Sequence, residues 1–339
     1  MKKIYLAMMI LSTACIQNKT GKDMPVKDYF AQQDSGIQSA GIKMIPISTP
    51  VGNFNVWTKS IGNNPRIKVL LLHGGPAMTH EYMECFESFF PKEGFEMIEY
   101  DQLGSYYSDQ PTDSSLWTVD RFVDEVEQVR KSLGLTPDNF YLLGNSWGGI
   151  LGMEYVLKYP DHAKALIVSN MMASAPDYGK YNLELQKQMD KGTVDSIMLL
   201  QSTGQIDNPR YGALLEDYYH QHICRLNPYP EPVARSLNHL NPVIYTMMQG
   251  PSEFGISGRL SNWDIKNRLK EIKIPTLMIG AHYDTMDPEY MKWMSTQVQH
   301  GRYLYCPEGS HLAMWDDQKN YYPGIIQFIK DVDAGNFVK

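Results

Sequence analysis

The chain has no run of basic residues beyond Lys2-Lys3, and its formal net charge is −7. Nucleic-acid affinity comes from lysines and arginines that track a phosphate backbone, so this charge pattern argues against such a partner. Past the N-terminus no stretch approaches the ~20 consecutive apolar residues of a membrane-spanning helix. Cysteine is scarce. Apart from Cys15 there are Cys85, Cys224 and Cys306, an odd set without close spacing. That pattern gives neither a disulfide framework nor a metal-ligand motif, and each of the three reads as a small buried apolar residue. Internal repeats and low-complexity tracts are also missing. What is present, 43% hydrophobic and 20% charged residues in 339, is the composition of one large globular domain or a core carrying a big insertion.

The first residues have the layout of a targeting segment. Lys2-Lys3 is a positive start, Ile4 to Leu11 a short apolar stretch, and Ser12-Thr13-Ala14 supplies small residues before Cys15. This resembles a bacterial lipobox, in which Cys15 becomes the lipidated first residue, although Ser12 stands where a leucine is usual. Polar Gln17 to Asp34 then reads as a tether. The expected location is the bacterial cell envelope, with the membrane touched only through that lipid. The alternative is a cytoplasmic protein with an apolar N-terminus.

Apolar runs alternate with helical patterns along most of the chain. Ile42–Ile47 and Phe54–Trp57 flank a turn at Pro50-Val51-Gly52-Asn53, which predicts a hairpin. Strands are expected at Ile67–Leu72, Phe95–Tyr100, Asn139–Leu143, Lys164–Ser169, Ile274–Gly280 and Arg302–Tyr305. Helices are expected at Val119–Leu133, from Ile150, near Pro288–Val298 and near Tyr321–Val332. Strands alternating with helices predict a mostly parallel sheet covered on both faces. Between about Ala175 and Leu260 the pattern turns helical and rich in Tyr, Met, Gln and His. The expected division is a leader and tether over 1–35, an α/β core over 36–174 and 262–339, and a helical cap over 175–261.

Gly144-Asn145-Ser146-Trp147-Gly148-Gly149 lies where a predicted strand turns directly into a helix. Gly-x-Ser-x-Gly in that setting is a nucleophile elbow, which holds a serine at the tip of a sharp turn. A serine needs a base, and ligands gather at the carboxyl ends of the strands. His311 follows the last strand across Pro307-Glu308-Gly309-Ser310, and Asp284 ends the strand before it. The order Ser146, Asp284, His311 is that of an α/β-hydrolase. Asp287 and Glu308 are rivals for the acid, but Asp287 is placed to cap the helix starting at Pro288. His282 is a weaker base candidate, read as a packed histidine. Two backbone N–H groups should form the oxyanion site, one from Trp147 and one from the His73-Gly74-Gly75 loop, with Gly75 favoured.

Together these segments resemble the proline iminopeptidase family of serine aminopeptidases. The likeness runs from about Ile42 to Lys330 and includes His73-Gly74-Gly75-Pro76, Asp101-Gln102-Leu103-Gly104-Ser105, Gly250-Pro251-Ser252-Glu253-Phe254, Asp284-Thr285-Met286-Asp287-Pro288 and Gly309-Ser310-His311. It implies release of an N-terminal residue, preferably proline, from short peptides with a free amine, without a metal or organic cofactor. It also implies that Glu253 binds the substrate α-amino group. Some members carry a second glutamate directly after the catalytic aspartate; Thr285 occupies that position here, which leaves Glu231, Glu216 or another cap carboxylate to substitute. Tyr245, Phe254 and Trp147 are candidates for an apolar slot around a proline ring. The alternatives are an amino-acid amidase or esterase using the same triad, and a non-catalytic lipoprotein that captures peptides.

Overall fold

A computed structural model describes residues 41–338. The expected leader, tether and Cys15 lie outside the described residues. Eight strands form one sheet: β1 (Ile42–Thr49), β2 (Gly52–Ile61), β3 (Lys68–Leu72), β4 (Glu96–Asp101), β5 (Phe140–Asn145), β6 (Ala165–Ser169), β7 (Pro275–Ala281) and β8 (His300–Cys306). Their order in the sheet is β1-β2-β4-β3-β5-β6-β7-β8. The β1–β2 hairpin is antiparallel, and β2 also runs antiparallel to β4. All remaining neighbours are parallel. The sheet is therefore mostly parallel, with an antiparallel edge that the hairpin pattern announced.

Alternate residues of the parallel strands fill two different cores, as the two-residue period requires. Leu70, Leu72, Leu142, Leu166 and Val168 face one side. Val69, Leu71, Tyr141, Leu143 and Ile167 face the other. On the first side lie α1 (Val119–Ser132) and α2 (Trp147–Lys158). Thr118 caps α1 by accepting from Arg121 N–H.

Five helices follow β6: α3 (Ala175–Gln186), α4 (Lys191–Ser202), α5 (Pro209–His222), α6 (Glu231–Asn238) and α7 (Pro242–Met248). Asp190, Asn208 and Asn241 cap α4, α5 and α7, and proline opens α5 and α7. The first three helices share a small core of their own, including Leu185, Ile197, Leu200, Tyr211 and Tyr218, while α6 and α7 pack into the two cores of the sheet. The chain leaves the sheet and rejoins it at one place: Ala175 N–H donates to Trp263 O over 2.8 Å, and Ile265 N–H to Ala173 O over 2.9 Å. Finally α8 (Pro288–Gln297) covers the first side of the sheet, while α9 (Ala313–Asp316) and α10 (Gln318–Asp333) cover the second. A 3-10 segment, His80–Ser88, joins them there with Tyr82, Met83 and Phe86. The sequence pattern had left that segment unassigned, because its apolar positions fit neither period cleanly.

Candidate active site

Ser146 sits between β5 and α2 with φ 56° and ψ −128°, a conformation that side chains other than glycine rarely adopt. The surrounding glycines make the turn feasible. A Cβ on Gly144 would lie 1.9 Å from Gly148 O, and one on Gly148 would lie 2.0 Å from Leu72 O. Ser146 precedes α2 but its side chain makes no capping bond, so the hydroxyl is free for another partner.

Asp284 and His311 meet just beyond β7 and β8. His311 Nδ1 lies 2.8 Å from Asp284 Oδ1. Asp284 is fully buried, and its second oxygen accepts from Asn170 Nδ2 over 2.7 Å. Burial by itself lowers the His311 pKa; the Asp284 carboxylate, helped by Glu253, outweighs it and leaves the imidazole raised above its ordinary value. The histidine loop is also strapped to the cap. His311 N–H donates to His222 O and Leu312 N–H to Ile223 O, each over 2.9 Å. The rivals lie elsewhere. Asp287 caps α8, Glu308 is exposed, and exposed His282 pairs with the Tyr305 hydroxyl over 3.0 Å.

The loop after β3 is held by hydrogen bonds that its sequence did not reveal. Gly74 N–H donates to the Tyr82 hydroxyl over 2.7 Å, and that hydroxyl donates to Asn145 Oδ1 over 2.9 Å. Gly74 N–H is thereby occupied, whereas Gly75 borders the small recess beside Ser146. Gly75 has φ 108°, and a Cβ there would come within 2.7 Å of Met78 N. Gln102 N–H donates to His73 Nε2 over 3.1 Å, so the ring proton is on Nδ1, which donates to Gly74 O over 2.8 Å. Burial lowers the His73 pKa and keeps the ring neutral. Gln102 also accepts from the Trp147 indole over 2.7 Å, tying this loop to the elbow. Trp147 N–H opens α2, where the first amides have no helical acceptor. Gly75, Ser146 and Trp147 border one small recess.

Glu253 stands across the cavity from these groups. The Tyr245 hydroxyl donates to its Oε1 over 2.5 Å, and the Tyr178 hydroxyl lies 3.4 Å from its Oε2. Its own N–H donates to the Tyr219 hydroxyl over 3.1 Å. Burial raises the Glu253 pKa, and the nearby His311 and the tyrosine hydrogen bonds pull against that rise. Its side chain still has some access to solvent, through the cavity it borders. Among the described residues no lysine or arginine forms an ion pair with it.

The cavity has a volume of about 270 Å³ and is bordered by Ser146, His311, Gly75, Tyr245 and Glu253. Phe254 does not reach it; its ring is buried in the cap core, edge-on to Tyr218 at 5.2 Å. The residue alternates away from Glu253 along the chain, which corrects its placement in the proline slot. Trp147 borders the smaller recess, with its ring edge-on to Phe122 at 5.3 Å. Neither suggested substitute carboxylate is present: Glu231 is an exposed partner of Arg235, and Glu216 is exposed. Thr285 is fully buried beneath Asn182 of the cap. Besides Glu253, the acidic residue that borders the cavity is Asp207, a lone aspartate in a cap turn with no pattern to single it out. Cys85, Cys224 and Cys306 are buried free thiols, as expected.

A larger groove of about 640 Å³ lies away from this chemistry, between the β1–β2 turn and α1. It is not bordered by Ser146, Asp284 or His311.

The family model for the alpha/beta hydrolase fold matches residues 68–196. The proline iminopeptidase of Flavobacterium johnsoniae is 68% identical over 292 residues, spanning 86% of this chain and 98% of that protein. The proline iminopeptidase of Elizabethkingia meningoseptica is 65% identical over 297 residues, spanning 87% of this chain and 100% of that one. Among solved structures, the proline iminopeptidase of Mycobacterium smegmatis superposes with a TM-score of 0.77 at 27% identity, covering 87% of this chain and 99% of its own. With its sheet order, its elbow and identities of this size over most of its length, the chain belongs to the proline iminopeptidase family of α/β-hydrolases.

Proposed function

We propose that the protein is a serine aminopeptidase that releases N-terminal proline from short peptides with a free amine. The observation that carries this reading is Glu253, a carboxylate that among the described residues has no lysine or arginine partner and borders the same cavity as Ser146 and His311. A protonated α-amino group would complete it through a charge-assisted hydrogen bond.

In this reading His311, oriented by Asp284, takes the proton from Ser146 Oγ as the oxygen attacks the first residue's carbonyl carbon. The resulting oxyanion is held by Gly75 and Trp147 N–H. His311 then gives its proton to the departing nitrogen, the C–N bond breaks, and the rest of the peptide leaves. Water, deprotonated by the same imidazole, hydrolyses the acyl-enzyme and restores Ser146. The raised His311 pKa suits a group that must first accept and then return a proton. Tyr245 orients Glu253 and borders the cavity.

A pair of substrates tests the amine reading: prolinamide and N-acetylprolinamide. The free amine should be hydrolysed at least about 100-fold better, because the acetylated nitrogen has no charge for Glu253 to bind. Equal turnover would replace the aminopeptidase by a general amidase or esterase.

For the N-terminal segment we propose cleavage before Cys15 and lipidation of that residue, which rests on Lys2 to Cys15 alone. Mass spectrometry of the native N-terminus tests it. An unmodified Met1 would overturn it.

A further inference from the structure

Strand β6 ends at Ser169, and the next residue, Asn170, is fully buried with φ 57°. Asparagine tolerates this left-handed conformation, but glycine adopts it with less strain. The backbone alone therefore does not require an amide side chain here. The amide is nevertheless fully engaged. Its Nδ2 donates to Asp284 Oδ2 over 2.7 Å and to the Ser310 carbonyl over 3.3 Å. Its Oδ1 accepts from the Ser169 hydroxyl over 2.7 Å, and Ser169 Oγ lies 3.0 Å from the buried Tyr321 hydroxyl.

Both amide hydrogens are thus directed at the acid and base loops, one at Asp284 and one at the residue before His311. Ser169 occupies Oδ1, so the amide cannot turn its oxygen toward the carboxylate without losing that bond. Among the described residues no other group hydrogen-bonds Asp284 Oδ2, while Oδ1 faces His311 Nδ1. The same strand end reaches the nucleophile: Ser146 N–H donates to the Ser169 carbonyl over 3.1 Å. From this geometry we propose that Asn170 is a positioning residue for the hydrolysis. By holding one oxygen of Asp284, it leaves the other to accept from Nδ1–H, which keeps Nε2 of His311 free to take the Ser146 proton. The inference rests on the triad of the reading given above.

A paired exchange of amide and carboxylate follows from this arrangement. In Asp284→Asn alone the introduced amide has two poor choices. It can point its N–H at the Asn170 amide, donor against donor, or turn and point it at His311 Nδ1, which enforces the wrong tautomer. Adding Asn170→Asp puts an acceptor where Asn170 donated. The introduced amide then donates to that carboxylate and keeps its oxygen on His311 Nδ1, and the negative charge returns one hydrogen bond farther from the imidazole.

The test measures kcat and KM for prolyl 4-nitroanilide in the wild type, Asn170→Gly, Asp284→Asn, and Asp284→Asn combined with Asn170→Asp. Asn170→Gly suits the backbone conformation and removes only the amide. It should lower kcat about tenfold or more while KM changes by less than about twofold. The combined variant should recover about tenfold or more of kcat over Asp284→Asn alone, a rescue that a role confined to holding the fold does not give. Wild-type kcat in Asn170→Gly, or a combined variant no better than Asp284→Asn, overturns the positioning role and leaves the aminopeptidase standing. A wild type that leaves the prolyl anilide intact overturns the aminopeptidase reading and this inference with it.

Discussion

The Tyr82 hydroxyl lies 2.9 Å from Asn145 Oδ1 and accepts the Gly74 N–H, so one side chain joins the loop after β3 to the residue before Ser146. The two halves of the proposed oxyanion site are thus fixed relative to each other by a residue that is itself buried. Tyr82→Phe removes this link and leaves two buried polar groups unpaired, costing about 1–3 kcal/mol of stability. Because the link positions donors and touches no substrate, kcat should fall about tenfold while KM changes little. A rise in KM at unchanged kcat would show that Tyr82 serves binding instead.

Glu253→Gln should lower kcat/KM for free-amine substrates by about 100-fold, since a charge-assisted bond becomes a neutral one. It should also move the pH profile. Anionic Glu253 raises the His311 pKa, and the imidazole must be neutral to act as base. Removing that charge lowers the His311 pKa, so the acid limb of kcat/KM shifts to lower pH. Glu253 has a raised pKa of its own and must ionise to bind the amine, so its loss moves the limb in the same direction. A profile unchanged in the variant would separate Glu253 from the catalytic histidine.

Glu99 makes a prediction about stability alone. It is fully buried, neither of its carboxylate oxygens accepts a hydrogen bond from the described residues, and Lys59 Nζ is 3.6 Å away. Burial pushes its pKa up to about 7 from 4.5, with His80 and Lys59 pulling against the rise. The folded value lies above the unfolded one, so this group's contribution is fully present below the unfolded pKa and is lost as pH rises toward 7. Glu99→Gln removes that loss. Between about pH 5 and about pH 8 the stability difference should move in the variant's favour by about 2–3 kcal/mol. Urea unfolding at both pH values measures it, and parallel pH dependences in the two proteins would contradict it.

Much of this architecture can be read from residues alone, for identifiable reasons. Leu70 to Leu72 and Ile167 to Val168 are buried on both sheet faces, and so appear as unbroken apolar runs. Ser146 and Asp284 each follow such a run, and His311 follows the partly exposed edge strand β8, at the ends where side chains converge. The supports are harder to read. The His222 carbonyl that holds His311 is backbone, which any residue supplies. Tyr82 lies on a 3-10 segment without a clean period. Phe254 beside Glu253 looked equally suited to a slot, and only the cap core decided which way it faces.

The account rests on Ser146 as nucleophile, and hydrolysis of prolyl 4-nitroanilide by the wild-type protein and by Ser146→Ala measures this directly. The wild type should release nitroaniline, and the variant should lose about 10⁴-fold or more in kcat while still folding. A variant that keeps the wild-type rate, or a wild type that leaves the prolyl anilide intact, would contradict it.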